Sequence, residues 1–289
     1  MKIAIGLPTA VPGTSGARLL EWATRAERAG FSSLAVLDRV AYRNHDPIPV
    51  LAAAAAVTDR IGLLTGVLLG PVRGNGVLLA KQLATLDSLS GRRLTVGIAA
   101  GARADDFTVT GSDFDGRGRR HDLLLAELMN TWQGAATLPS AVTPGGPSLL
   151  IGGRGPASTR RVTRFGHGWM CGSGGPDQFA EGAAEVRNAW TEAGRRGRPR
   201  LAAVGYFALG RDADRLARGF LGDYYGFRDD GGEAVFLATP TRPAEVARLA
   251  ARLAELGCDE LVLYPCSGDP AQVDRLSEAV GKNVGTRLE

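Results

Sequence analysis

Short apolar runs alternate along this chain with longer stretches in which apolar positions recur at helical spacing. An apolar run of a few residues bounded by glycine or proline reads as a buried strand, and a 3.6-residue period reads as a helix. Lys2–Leu7 is the first such run; an amphipathic stretch from Ser15 to Ala29 follows, closed by Gly30 as a C-cap. Ser33–Asp38, Ile61–Val67 and Leu94–Ala99 predict the next three strands, with helices over Ile48–Thr58, Gly76–Leu89 and Gly118–Trp132. A Pro/Gly-rich linker, Leu138–Pro147, leads to strand Ser148–Ile151, helix Ala157–Phe165, strand Gly168–Cys171 and helix Asp177–Ala193. Leu201–Leu209 predicts a seventh strand, and Asp212–Phe236 reads as an irregular insertion after it. Helix Pro243–Leu256, strand Glu260–Tyr264 and helix Pro270–Val280 complete the series.

Eight apolar strands, each followed by a helix, imply an α/β fold of the (β/α)8 TIM-barrel type, a single domain over residues 1–289. An open doubly wound sheet would want a G-x-G-x-x-G turn after the first strand, and Gly6-Leu7-Pro8-Thr9 is not one.

A barrel of this kind does its chemistry where strands end. Those positions are Asp38 and Arg39, Gly66 and Val67, Ala100 and Gly101, Gly152 and Gly153, Cys171 to Ser173, and Tyr264 to Cys266. The set is poor in acids, histidines and nucleophiles, which points to a cofactor carrying the difficult chemistry. Ile151-Gly152-Gly153 running into a helix at Ala157-Ser158 has the form of a phosphate cradle, because glycine lets backbone approach an anion at a helix's positive end. An ordinary tight βα turn, where glycine is also common, is the alternative.

Composition narrows the partners. The hydrophobic share of 44% and charged share of 22% suit a globular core. The net charge of +4 comes from arginines dispersed among acids, with no basic block, so nucleic acid is not expected. Cys171, Cys258 and Cys266 are odd in number and lack metal-ligand spacing, which argues for a reducing compartment and no metal. The chain opens directly into a strand, and the apolar run Pro49–Val57 is too short for a bilayer, so a cytoplasmic protein with no membrane partner is expected.

Taken in order, several segments resemble the bacterial luciferase-like family of flavin- and deazaflavin-dependent oxidoreductases: Arg28-Ala29-Gly30-Phe31 through Leu37-Asp38-Arg39, Thr58-Asp59-Arg60-Ile61-Gly62 through Gly66-Val67, Leu86–Leu94 with Val96-Gly97-Ile98, Arg117–Arg120, Ile151-Gly152-Gly153, Gly166-His167-Gly168-Trp169, and Gly257–Leu263. The resemblance implies a luciferase-like TIM barrel, often a homodimer, that holds FMN or, alternatively, the deazaflavin coenzyme F-420. It places Asp38 near the polar edge of the flavin ring, and Gly66-Val67 against the ring face, with a cis non-proline peptide there. Ala100, Gly101 and Asp105 match positions near the ring or its side chain. Gly152 and Gly153, with Ala157 and Ser158, match the phosphate cradle, and the small residues Cys171 and Gly172 let the cofactor approach.

Departures from the family pattern matter too. The position after Asp38 is commonly histidine and here is Arg39, while Ala102 stands where deazaflavin-dependent sugar-phosphate dehydrogenases carry a glutamate. That particular dehydrogenase reaction is therefore not expected. Arg39 is the catalytic candidate, as a fixed charge at flavin or substrate; pairing with Asp38 or Asp46 is the alternative. Asp105-Asp106 reads as capping or cofactor contact, His45 and His121 as loop and packing residues, and His167 as structural. The resemblance implies a monooxygenase using reduced FMN and oxygen on a small organic substrate, with a flavin reductase as a possible supplier. The alternatives are a deazaflavin-dependent reductase or dehydrogenase working by hydride transfer, and a non-catalytic flavin-binding barrel.

Overall fold

The computed structural model describes residues 1–134, 138–139 and 143–281, so part of the expected linker lies outside the described residues. Eight parallel strands close into a barrel in chain order. They are β1 (Lys2–Gly6), β2 (Ser33–Val36), β3 (Gly62–Leu69), β4 (Leu94–Ala99), β5 (Ser148–Gly152), β6 (Gly168–Cys171), β7 (Arg200–Phe207) and β8 (Glu260–Pro265). Closure comes from β8 lying beside β1, with Ile3 opposite Leu261 and Ile5 opposite Leu263. Around them run α1 (Gly16–Arg28), α2 (Pro47–Ala56), α3 (Gly76–Leu89), α4 (Ala104–Val109), α5 (Arg117–Gln133), α6 (Gly155–Phe165), α7 (Gly175–Glu192), α8 (Ala213–Tyr224), α9 (Glu233–Leu237), α10 (Pro243–Glu255) and α11 (Ala271–Val280). Among the described residues no helix is long and apolar enough to cross a membrane.

Alternate residues of each strand serve two apolar layers. Ile3, Ile5, Leu34, Leu63 and Leu261 face the helices, whereas Ala4, Ala35, Leu64, Leu150, Met170 and Val262 fill the barrel. The barrel floor carries an ion pair: the buried Glu260 carboxylate accepts from Ser32 Oγ at 2.6 Å and Ser33 Oγ at 2.9 Å and pairs with Arg200.

Two elements differ from the sequence expectation. The stretch Asp212–Phe236 lies after the seventh strand as expected, but it is largely helical, forming α8 and α9. Ala213, Ala217, Phe220, Leu221 and Tyr224 make the buried face of α8. Their helical spacing is present in the sequence, interrupted to the eye by charged and glycine residues. Between β4 and α5, where the sequence predicts no element, lies α4, six residues long and too short to display a period. Its first turn holds Asp105 and Asp106, favourable at the positive end of a helix.

His121, on α5, is fully buried against Gly70 and Leu124, and neither ring nitrogen has a partner among the described residues. Burial pushes its imidazole down to about 3. The unfolded chain takes up a proton near pH 6.5 and the folded chain does not, so this residue withdraws stability as pH falls from 6.5 toward 3. His121→Leu is expected to remove that dependence. Between pH 7 and pH 5 the stability of the variant relative to the wild type should rise by about 2 kcal/mol in denaturant melts; a constant difference would refute the assignment.

Candidate active site

A cavity of about 640 Å3 opens at the C-terminal ends of the strands. It brings together Asp38, Arg39, Gly66, Val67, Ala100, Gly101, Gly152, Gly153, Ala157, Ser158, Cys171 and Gly172, all of which line it. Asp105 does not: its carboxylate, 44% exposed, turns outward to Arg39 and Arg103, and Asp106 lines the cavity instead.

Arg39 lines the cavity, but its ion pairs are not the ones considered as the alternative reading. Arg73, from the loop after β3, takes the two aspartates considered for it: Nη2 to Asp38 at 2.6 Å and Nη1 to Asp46 at 2.6 Å. Asp38 also accepts from the Leu69 amide at 2.9 Å, so both of its oxygens are engaged in holding the end of β3. Burial pushes its carboxyl up from the usual range, against the pull of Arg73. Arg39 turns the other way, donating from Nε to Asp106 at 2.6 Å and from Nη2 to Asp105 at 2.9 Å. Nη1 has no partner among the described residues, and the guanidinium lies 5.7 Å from the ring centres of both Tyr42 and Tyr224. Asp106 in addition accepts the Val40 and Ala41 amides, each at 2.8 Å, which ties the loop after β2 to α4. Four acids and two arginines within a short span allow several pairings on paper; the strand ends that carry them allow this one.

Beneath the rim, the Gly66–Val67 peptide is cis, and the register of β3 against β4 shifts between Thr65 and Leu68. The Tyr264 hydroxyl, buried in the barrel, donates to Gly66 O at 3.2 Å. A side chain at Gly66 would run into that hydroxyl, so the backbone forms the wall here.

At the opposite end lies the β5–α6 turn. Gly153 has φ +110°, a conformation suited to glycine. The carbonyls of Gly152 and Gly153 accept from Ser158 Oγ at 3.1 Å and Trp169 Nε1 at 2.8 Å. No side chain caps α6, so the amides of its first turn have no partner within the helix. Arg117 lines the same end, held by two carbonyls, Gly101 O at 3.2 Å and Phe114 O at 3.0 Å, and stacked 3.8 Å over Phe114. Carbonyl groups, not a carboxylate, fix this guanidinium, so its charge is available to a ligand.

The remaining wall is aromatic and comes from β7 and the end of α8. Tyr206, Tyr224, Tyr225 and Phe227 line it. Arg103 pins it, donating to Tyr224 O at 2.7 Å, lying 3.8 Å over Phe227 and pairing with Asp105 at 3.0 Å. Tyr225 Oη sits 2.9 Å from Tyr206 Oη and 3.3 Å from Ser173 Oγ. Burial raises Tyr206 well above the ordinary phenol value and raises Tyr224 likewise. Tyr224, Tyr225 and Phe227 fall in the stretch that the sequence marks as an irregular insertion, whereas Tyr206 and Arg103 are not singled out by it. The alternation Ala202, Val204, Tyr206 along β7 was the available signal for Tyr206.

No histidine lines the cavity. His45 faces Thr14 O at 3.1 Å, and His167 Nδ1 accepts the Leu149 amide at 3.1 Å. Cys171 is a buried thiol pushed up by desolvation, with Gln178 Nε2 at 3.5 Å from its sulfur. Among the described residues no cluster of three potential ligands could hold a metal ion.

Comparison with known proteins agrees with this architecture. Residues 1–279 match the family model described as luciferase-like monooxygenase. An uncharacterised protein of Mycobacterium tuberculosis is 32% identical over 234 residues, 73% of this chain and 77% of that protein. The F420-dependent glucose-6-phosphate dehydrogenase of Beutenbergia cavernae is 31% identical over 180 residues, 54% of this chain and 52% of its own. Among solved structures, monooxygenase RslO1 from Streptomyces bottropensis superposes with a TM-score of 0.77 at 24% identity, covering 96% of this chain and 97% of that one.

Proposed function

The chain belongs to the luciferase-like monooxygenase family, and from that premise we propose that it is an oxidoreductase using a flavin-type coenzyme, in particular a reductase that works with the deazaflavin F-420 on a small organic substrate. The cavity fits such a coenzyme at both ends. The uncapped first turn of α6, the side-chain-free approach at Gly152 and Gly153, and the free charge of Arg117 suit a phosphate. Gly66 and Val67, with Ala100 and Gly101, offer a backbone wall to a flat ring. When bound, the reduced coenzyme supplies a hydride; the chain's own residues bind, orient and exclude water.

The observation that carries the direction of the reaction is that, among the described residues, the buried carboxylates at the strand ends are all engaged. Both buried carboxylates there, Asp38 and Asp106, are tied to arginines and backbone amides, and burial holds the Tyr206 and Tyr224 phenols neutral. Groups held protonated give protons and do not take them, which favours reduction of the substrate. The deazaflavin enzyme among the relatives supports this choice of coenzyme. The test is calorimetric titration of the apo-protein with F-420 and, separately, with FMN. Binding of F-420 in preference to FMN is expected; binding of neither would reduce the family likeness to one of fold.

The aromatic wall favours a second reading, a monooxygenase using reduced FMN and oxygen, because water exclusion protects reactive oxygen chemistry. Binding of FMN alone, with oxygen consumption on addition of reduced FMN, would replace the first reading by this one.

A further inference from the structure

We propose that Tyr225 is the proton donor of this site and that the substrate is an uncharged, flat, conjugated carbonyl compound; the proposal rests on the hydride-transfer reading above. Tyr225 Oη is the hub of a hydroxyl chain, 2.9 Å from Tyr206 Oη and 3.3 Å from Ser173 Oγ, and all three residues line the cavity. Three hydroxyls bring three protons, and their two mutual contacts use two. The third O–H has no acceptor among the described residues and is available to a ligand. Tyr206, buried among other tyrosines, keeps its proton.

The same wall defines what lies against it. Tyr206 and Tyr225 meet edge to face with ring centres 5.9 Å apart, and Phe227 continues the surface 6.1 Å from Tyr225. Flat ligands stack on such a surface. The charges nearest to it are already balanced, since Arg39 and Arg103 pair with Asp105 and Asp106. A cationic or polyanionic substrate thus gains nothing there. A site with a donor, no base and an aromatic face suits a group that needs a proton when it receives a hydride, such as a carbon–carbon double bond conjugated to a ketone.

The step balances. The β-carbon takes a hydride from reduced F-420, and the π pair moves to give the enolate. The Tyr225 O–H breaks, leaving its electron pair on the phenol oxygen, and the proton bonds to the enolate oxygen; the enol so formed tautomerises in water to the saturated ketone. The phenolate recovers a proton from water at the mouth, relayed through Ser173 or Tyr206, and the oxidised coenzyme releases its ring N–H proton to solvent.

The test uses the full chain, reduced F-420 and 2-cyclohexen-1-one as probe, under anaerobic conditions. Tyr225→Phe keeps the ring and should slow oxidation of F-420 about 100-fold or more, the range for loss of a general acid, with F-420 affinity unchanged. Ser173→Ala and Tyr206→Phe, each leaving one link to the hub, should slow it less than Tyr225→Phe. A readout without turnover is the carbonyl stretch of the probe bound beside oxidised F-420, expected to be shifted to lower frequency in the wild type and not in Tyr225→Phe. Equal rates in wild type and Tyr225→Phe would overturn the assignment while leaving the hydride reading in place, as would a rate loss with the carbonyl shift retained. If the wild type binds F-420 but cannot pass its hydride to the probe, the assignment of substrate class fails; if it does not bind F-420, the reading beneath it fails.

Discussion

Replacing Gly153 by aspartate is expected to weaken coenzyme binding about 100-fold while leaving the barrel folded. The residue sits between β5 and α6, and a β-carbon there would stand 3.3 Å from Ser158 Oγ in the first turn of the helix. A carboxylate at that point faces the site read as the phosphate cradle. Two like charges about 4 Å apart repel by about 4 kcal/mol at an effective dielectric of about 20, and screening at this exposed turn brings the figure to about 3 kcal/mol, or ~100-fold in affinity. The φ of +110° adds a backbone cost that any side chain shares. Gly153→Asn carries the same cost without the charge, so the ratio of the two affinities isolates electrostatics. Equal losses of F-420 affinity in both variants, measured calorimetrically, would remove the anion from this end of the cavity.

Asp106→Ala should be the most destabilising single change at the rim. It removes the buried partner of the Arg39 guanidinium, whose side chain is 4% exposed and which keeps only the half-exposed Asp105, and it releases the Val40 and Ala41 amides. Breaking one side of a buried pair costs about 3–5 kcal/mol, which for a chain of this size lowers the melting temperature by about 10 °C. Adding Arg39→Met should recover a large part of that loss, because the penalty lies in a buried charge that has lost its buried partner. An additive loss in the double variant would show that the amide contacts, and not the buried charge, dominate.

What could be read without coordinates was whatever the backbone dictates. Strands announced themselves by unbroken hydrophobicity, and Gly66, Gly152 and Gly153 stood out because only a residue without a side chain suits those approaches. The family resemblance, borne by segments at strand ends, led to the same cavity. Pairing among side chains was less legible. Asp38, Asp46, Asp105 and Asp106 compete for Arg39 and Arg73, and nothing in their spacing says that the arginines divide them two and two. The aromatic wall was legible only in part: Tyr224, Tyr225 and Phe227 fall in the insertion after the seventh strand, but Tyr206 lies inside a strand and the period of α8 is masked by charged neighbours.

The insertion that carries Tyr224, Tyr225 and Phe227 also has an evolutionary meaning. One side of the cavity is made from strand ends that the barrel cannot alter without losing closure, while the other rests on a segment after β7 fastened by Arg103 and by the Tyr42 hydroxyl on Asp223. Descendants of such a chain can rewrite that segment, and with it the choice of molecule to be transformed, while inheriting the proposed coenzyme berth unchanged.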